Sequence, residues 1–134
     1  MGRYTKTRIV ISCFYGSPNP SSLPVGFSWA QILSDQYKKK YKITILLHGE
    51  CIKFGLNSNT YQSKYGTPNP YADLLENLAK NKVKIVICDL CLHNDGFNDN
   101  QLLEFVKPIP FSIDFIAQSQ LRGHLVVYDA QLSG

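Results

Sequence analysis

The chain has 134 residues, of which 44% are hydrophobic and 18% charged, with a formal net charge of +4. That length and balance suit one globular domain with a real core over residues 1–134, and exclude an intrinsically disordered chain. No apolar run approaches the roughly 20 residues needed to span a bilayer.

The amino terminus, Met1-Gly2-Arg3-Tyr4-Thr5-Lys6, is basic, but the apolar run at residues 9–14 is too short for a signal-peptide core and lacks a small-residue cleavage site. Lys6 stands where a myristoylation signal needs Ser or Thr. A cytoplasmic protein with no membrane partner is therefore expected. In that reducing compartment the four cysteines, Cys13, Cys51, Cys88 and Cys91, read as free, reactive or metal-bound rather than as structural disulfides.

The first element is Arg8-Ile9-Val10-Ile11-Ser12-Cys13-Phe14, a β-branched run of the type buried in a parallel sheet. Residues 16–22 hold two prolines among small polar residues and read as loop. Residues 25–41 repeat Phe27, Trp29, Ala30, Ile32, Leu33 and Tyr37 at helical spacing. The basic run Lys38-Lys39-Lys40 with Lys42 falls at that helix's end, where cations suit the dipole. No aromatic-interleaved basic stripe accompanies it, so nucleic acid is not an expected partner. Residues 41–47 form the second strand, ending at His48-Gly49-Glu50-Cys51. Residues 54–68 are rich in Asn, Ser and Gly and predict a mobile loop, a length usually tied to function.

Asn69-Pro70 suits the start of a helix, with Asn69 as N-cap, and Ala72, Leu74, Leu75, Leu78 and Ala79 make its apolar stripe. The stretch Lys82-Val83-Lys84-Ile85-Val86-Ile87-Cys88-Asp89-Leu90-Cys91 is a buried strand running into a Cys-x-x-Cys and a helical turn. Asn98-Asp99-Asn100 predicts a cap for a short helix bearing Leu102, Leu103 and Phe105. Residues 106–109 make a weak strand, short of donors because of Pro108 and Pro110. A helix over residues 112–120, closed by Gly123, leads to the last strand at residues 125–128.

Strict strand–helix alternation predicts an α/β fold: a flavodoxin-like three-layer sandwich with a five-stranded parallel sheet and helices on both faces. The expected strand order is 2-1-3-4-5. Ligands in such folds bind at the carboxyl ends of the strands, at the point where strand order reverses. Cys13, His48, Cys51 and Cys88 all follow strand ends and are expected to meet there. Cys88, before a helical turn, is the expected catalytic thiol, because unpaired N–H groups favour a thiolate. The supporting candidates are Cys91, Cys13, Cys51, His48 and His93. Cys91 either resolves an oxidised Cys88 or packs behind the turn. Loop histidines such as His48 and His93 are expected to be solvated, with a capacity for proton transfer near neutral pH.

There is no Gly-rich phosphate loop and no Gly-x-Ser-x-Gly, and one Cys-x-x-Cys falls short of the paired ligands of a structural zinc site. No cofactor and no metal are expected.

His48-Gly49-Glu50, Asn69-Pro70-Tyr71-Ala72-Asp73-Leu74-Leu75 with Leu78, residues 83–88, Leu102-Leu103, Pro110-Phe111-Ser112 and residues 118–123 together resemble the DsrE/DsrF-like family, which includes YchN-like and TusD-like sulfur-relay proteins. The resemblance implies a flavodoxin-like fold, assembly as trimers or hexamers, and a persulfide-carrying cysteine at Cys88 that works with sulfur-donor and sulfur-acceptor proteins. Asp89-Leu90-Cys91 departs from the Gly-Gln or small residues that follow this cysteine in many members. Two alternatives remain from the residues alone: a thiol–disulfide redox protein using Cys88 and Cys91, and a non-enzymatic small-ligand module. Phe14, Tyr15, Phe27, Trp29, Tyr61, Tyr65 and Tyr71 are more aromatics than one pocket needs, and predict an interface near Cys88.

Overall fold

A computed structural model describes residues 5–16 and 23–129 of the chain. The amino-terminal stretch through Tyr4 and residues 17–22 of the first loop lie outside the described residues.

Strands β1 (Thr7–Cys13), β2 (Tyr41–Leu47), β3 (Lys84–Cys88), β4 (Val106–Ile109) and β5 (Leu125–Tyr128) pair in parallel throughout. Between them run α1 (Val25–Gln36), a 3-10 helix (Gly49–Gly55), α2 (Ser58–Tyr65), α3 (Ala72–Lys80), α4 (Asp89–Asn94), a short 3-10 turn (Asp99–Gln101) and α5 (Ser112–Leu121). The five-stranded parallel α/β architecture matches the sequence expectation, but the order is β4-β3-β2-β1-β5 rather than 2-1-3-4-5. The β1–β2 and β3–β4 pairings are the expected ones. β2 and β1 take β3 and β5 as their other neighbours.

Burial accounts for this order. An order of 2-1-3-4-5 would leave β2 at an edge, yet Ile45, Leu46 and Leu47 have no exposure at all. The half-exposed β5 and the Pro-containing β4 take the edges instead, where missing or unpaired donors are tolerated. Alternation of strands and helices sets the class of fold but not the direction in which each crossover steps.

The stepping decides the layers. From β1 to β4 the chain moves one way across the sheet, then returns past β1 to β5. Right-handed crossovers put connections of opposite direction on opposite faces. Accordingly Phe27 and Ala30 of α1, Tyr61 of α2 and Leu75 and Leu78 of α3 pack on Ile9, Ile11, Ile43, Ile45, Ile85 and Ile87. Ile116 of α5 packs on the alternate residues Val10, Leu46 and Val86. The second face is thus the thinner layer, and Phe111, Ile113, Leu121, Leu125 and Tyr128 stay exposed around it.

Residues 54–68 are not the expected mobile loop. Phe54, Leu56 and Tyr61 are fully buried, Leu56 bridges Leu102, and Asn57 caps α2 by accepting from Thr60 N at 2.8 Å. Buried Asn69 does not cap α3. Its Nδ2 donates to the carbonyls of Phe54 (2.9 Å) and Leu56 (2.7 Å), and its Oδ1 accepts from Tyr71 N (3.0 Å). One amide side chain therefore ties the 3-10 helix to the start of α3. Of the seven aromatics expected at an interface, Phe27, Tyr61 and Tyr71 are buried around Phe54, with Tyr71 and Phe54 centroids 4.8 Å apart. Phe14 and Tyr15 stay exposed. The helix expected after Asn98 is only the single turn Asp99–Gln101, because Leu102 turns out to pair with Leu56.

Candidate functional site

Both cysteine pairs lie at the carboxyl edge of β1, β2 and β3, which remain adjacent despite the changed order. They are in different chemical states. Cys13, the last residue of β1, and Cys51, in the turn after β2, form a disulfide across a separation of 38 residues, with Cα atoms 5.8 Å apart and both side chains fully buried. This corrects the expectation of four free thiols. The link is hidden in the sequence because the register of β1 on β2, with Cys13 opposite Leu47, brings the two together. Cys88 and Cys91 are free.

Cys88 ends β3 and has no solvent exposure. Its sulfur accepts from three donors: Cys91 N at 3.4 Å, Ser112 N at the start of α5 at 3.4 Å, and the Cys91 thiol at 2.7 Å. Such a set suits an anionic sulfur, since every contact offers hydrogen. Cys91 is half-buried and lines an open cleft of about 400 Å3 with Phe14, Gly49, Glu50, Asn94 and Asp95. Burial, and then the hydrogen bond to Cys88, push the Cys91 thiol up to about 11. Cys91 is thus the protonated, donating partner and Cys88 the acceptor. Leu90 N donates to Pro110 O at 3.2 Å, which locks the turn carrying Cys91 against the segment entering α5.

Asp89 would oppose an anionic Cys88 if it turned toward the sulfur. Its carboxyl is instead raised from its ordinary value foremost by a hydrogen bond with Asp99, and then by burial. His93 approaches both carboxylates, 3.3 Å from Asp89 and 3.5 Å from Asp99, and is half exposed as expected. It is held in that carboxylate cluster.

His48 is the larger departure. It is buried, with Nε2 2.6 Å from Ser12 Oγ and the Phe14 ring edge-on at 5.1 Å. Burial lowers its imidazole from the ordinary 6.5, against a weaker opposite pull from Asp129. Asp129 itself accepts from Phe14 N (2.8 Å) and Tyr15 N (2.9 Å), closing the loop after β1 where strand order reverses. No motif in the sequence gives Ser12, Ser112 or Asp129 a place at the site. A serine within the apolar run of β1 is the one available signal, because a buried hydroxyl needs a partner.

A stability test follows from His48. In the unfolded chain it titrates at its ordinary 6.5, whereas in the fold it resists protonation. Its contribution is whole above that value and is lost as pH falls below it, toward the folded value, at up to about 1.4 kcal/mol per pH unit. His124, also lowered by burial, adds in the same direction. Urea unfolding at pH about 7.5 and about 5.5 is expected to show a smaller loss in His48→Gln than in the parent. Equal losses in the two proteins would count against a neutral buried His48.

Gly49 shows why the cleft has its shape. Its φ of +56° and a Phe14 ring that would lie 2.6 Å from any Cβ both demand glycine. Phe14 is therefore laid across the turn and becomes a wall of the cleft.

The sequence pattern of the DsrE/DsrF-like family matches residues 8–128. The chain belongs to that family. Three solved structures share its fold. One is a protein of unknown function, MTH1491 from Methanobacterium thermoautotrophicum, with a TM-score of 0.73 and 16% identity over 92% of this chain and 99% of that one. The ychN protein from E. coli gives 0.70 and 22% identity over 91% and 98%. BT1422 from Bacteroides thetaiotaomicron, also of unknown function, gives 0.58 and 15% over 90% and 93%. No curated protein matches the chain. Among the described residues no helix is long and apolar enough to cross a membrane.

Proposed function

We propose that this DsrE/DsrF-like protein is a sulfane-sulfur carrier, taking sulfur from a donor protein and passing it to an acceptor protein as a persulfide on Cys88. The observation that carries this reading is the buried Cys88 sulfur with three donors and no acceptor among its hydrogen bonds. A persulfide needs a nucleophilic sulfur to form and shelter from water and oxidants to last. Membership in a family that includes sulfur-relay proteins supports the same reading. The test is intact mass after treatment with a persulfide donor and gel filtration. The protein is expected to keep one extra sulfur atom.

A second reading has an observation of its own. The Cys88 and Cys91 sulfurs are 2.7 Å apart, so a small movement would join them. A thiol–disulfide redox protein would answer the same treatment with an internal Cys88–Cys91 disulfide and a loss of two hydrogens.

The carrier reading includes assembly. Leu90, Phe111 and Ile113 are exposed apolar side chains immediately around Cys88 and its Ser112 donor. A clustered apolar surface on a small protein favours a subunit contact. We expect a homo-oligomer, a trimer or hexamer, with this patch at the boundary. Light scattering at micromolar concentration checks it, and a monomer mass would remove the subunit contact from the account.

A further inference from the structure

We infer that Cys91 is the receiving thiol and Cys88 the holding thiol of an internal two-step sulfur transfer. This rests on the carrier reading and adds a route to it. Cys88 has no solvent exposure, so a donor cannot reach it without opening the fold. Cys91 lines the open cleft and touches Cys88 at 2.7 Å. One sulfur faces the outside, the other faces the core, and they are in contact.

The chemistry balances without any oxidant. A donor persulfide, R–S–SH, enters the cleft. Cys91 gives up its proton and its sulfur attacks the outer sulfur of the donor. The donor S–S bond breaks, its electron pair leaves on the R–S sulfur, and that sulfur takes up the proton. Cys91 now carries the persulfide. The Cys88 sulfur attacks the same outer sulfur, the bond to Cys91 breaks, and the Cys91 sulfur recovers a proton as Cys88 loses its own. The transferred atom remains sulfane sulfur throughout, and two free thiols become one thiol and one persulfide.

The geometry also accounts for the direction. Sulfur on Cys91 stays in the open cleft within reach of other thiols, whereas sulfur on Cys88 is enclosed, so the enclosed site is the one that keeps it. Cys88 keeps two backbone donors, from Cys91 N and Ser112 N, that remain when the Cys91 thiol is spent. The rim of the cleft carries mixed charge: Glu50 and Asp95 line it, and Lys53 interacts with both carboxylates.

The order of events is testable with cysteamine persulfide, a small cationic donor, on the parent, Cys91→Ser and Cys88→Ser, followed by rapid intact mass and iodoacetamide alkylation. Because Cys13 and Cys51 are already paired, only two thiols respond. Cys91→Ser is expected to load at least about tenfold more slowly than the parent. Cys88→Ser is expected still to gain sulfur, but on Cys91, where iodoacetamide captures it at once. Sulfur on the parent is expected to resist alkylation. Loading of Cys91→Ser at the parent's rate overturns the relay and leaves the carrier reading standing. So does failure of Cys88→Ser to load when the parent does. Failure of the parent itself to load ends both.

Discussion

Cys88→Ser is expected to abolish retention of sulfane sulfur while leaving the protein folded. Any sulfur taken up at Cys91 stays in the open cleft, where competing thiols remove it before gel filtration is complete. The choice of serine matters. Its hydroxyl oxygen still accepts from Cys91 N and Ser112 N, so neither buried donor is orphaned, and the expected cost is within about 1 kcal/mol. Cys88→Ala removes that acceptor and leaves both N–H groups unpaired, a cost of about 1–3 kcal/mol for each group left fully buried. Retention should therefore be lost in both variants, whereas stability should fall mainly in the alanine one. Retained sulfur in Cys88→Ser, measured by intact mass, would move the holding site to Cys91 and refute the carrier role of Cys88.

The second large effect concerns stability. The Cys13→Ala/Cys51→Ala double variant is expected to unfold about 4 kcal/mol more easily than the parent. The disulfide closes a loop of 38 residues, which restricts the unfolded chain by that order of magnitude. It also joins β1 to the turn after β2, so it holds the floor beneath Phe14 and Glu50 at the cleft. Thermal unfolding should shift down by roughly 10 °C or more. Because Cys88 and Cys91 are not part of this bond, sulfur retention by the folded double variant should persist at low temperature. An unchanged melting temperature would mean that the bond contributes little to the fold. Loss of retention with the fold intact would instead tie the disulfide to the chemistry.

Three strand ends with cysteine or histidine are legible in the amino-acid sequence, because apolar β-branched runs end abruptly at polar turns. The identity of Cys88 as a strand-end thiol followed by a helical turn comes from the same local grammar, and β2 has the boundaries that periodicity predicts, whereas α3 starts at Ala72, two residues after the expected Pro70. Pairing is another matter. Which strand lies beside which depends on the direction of each crossover, and no residue encodes that alone. The same limit hides the Cys13–Cys51 bond, which needs β1 and β2 aligned in register.

Residues 54–68 show a different failure. Their polar composition suggests a loop, yet Phe54, Leu56 and Tyr61 are spaced to enter one core, and Asn69 supplies the hydrogen bonds that the turn carbonyls would otherwise lack. A histidine that follows a strand is expected in solvent, but the fold buries His48 against Ser12, a partner 36 residues away. By itself the sequence determined the elements, the parallel α/β class and the thiol at the end of β3, since these depend on neighbours along the chain. Only the tertiary structure decided which sulfurs are bonded, which is buried and which faces the cleft, because bonding and exposure are set by residues that the chain brings together from far apart.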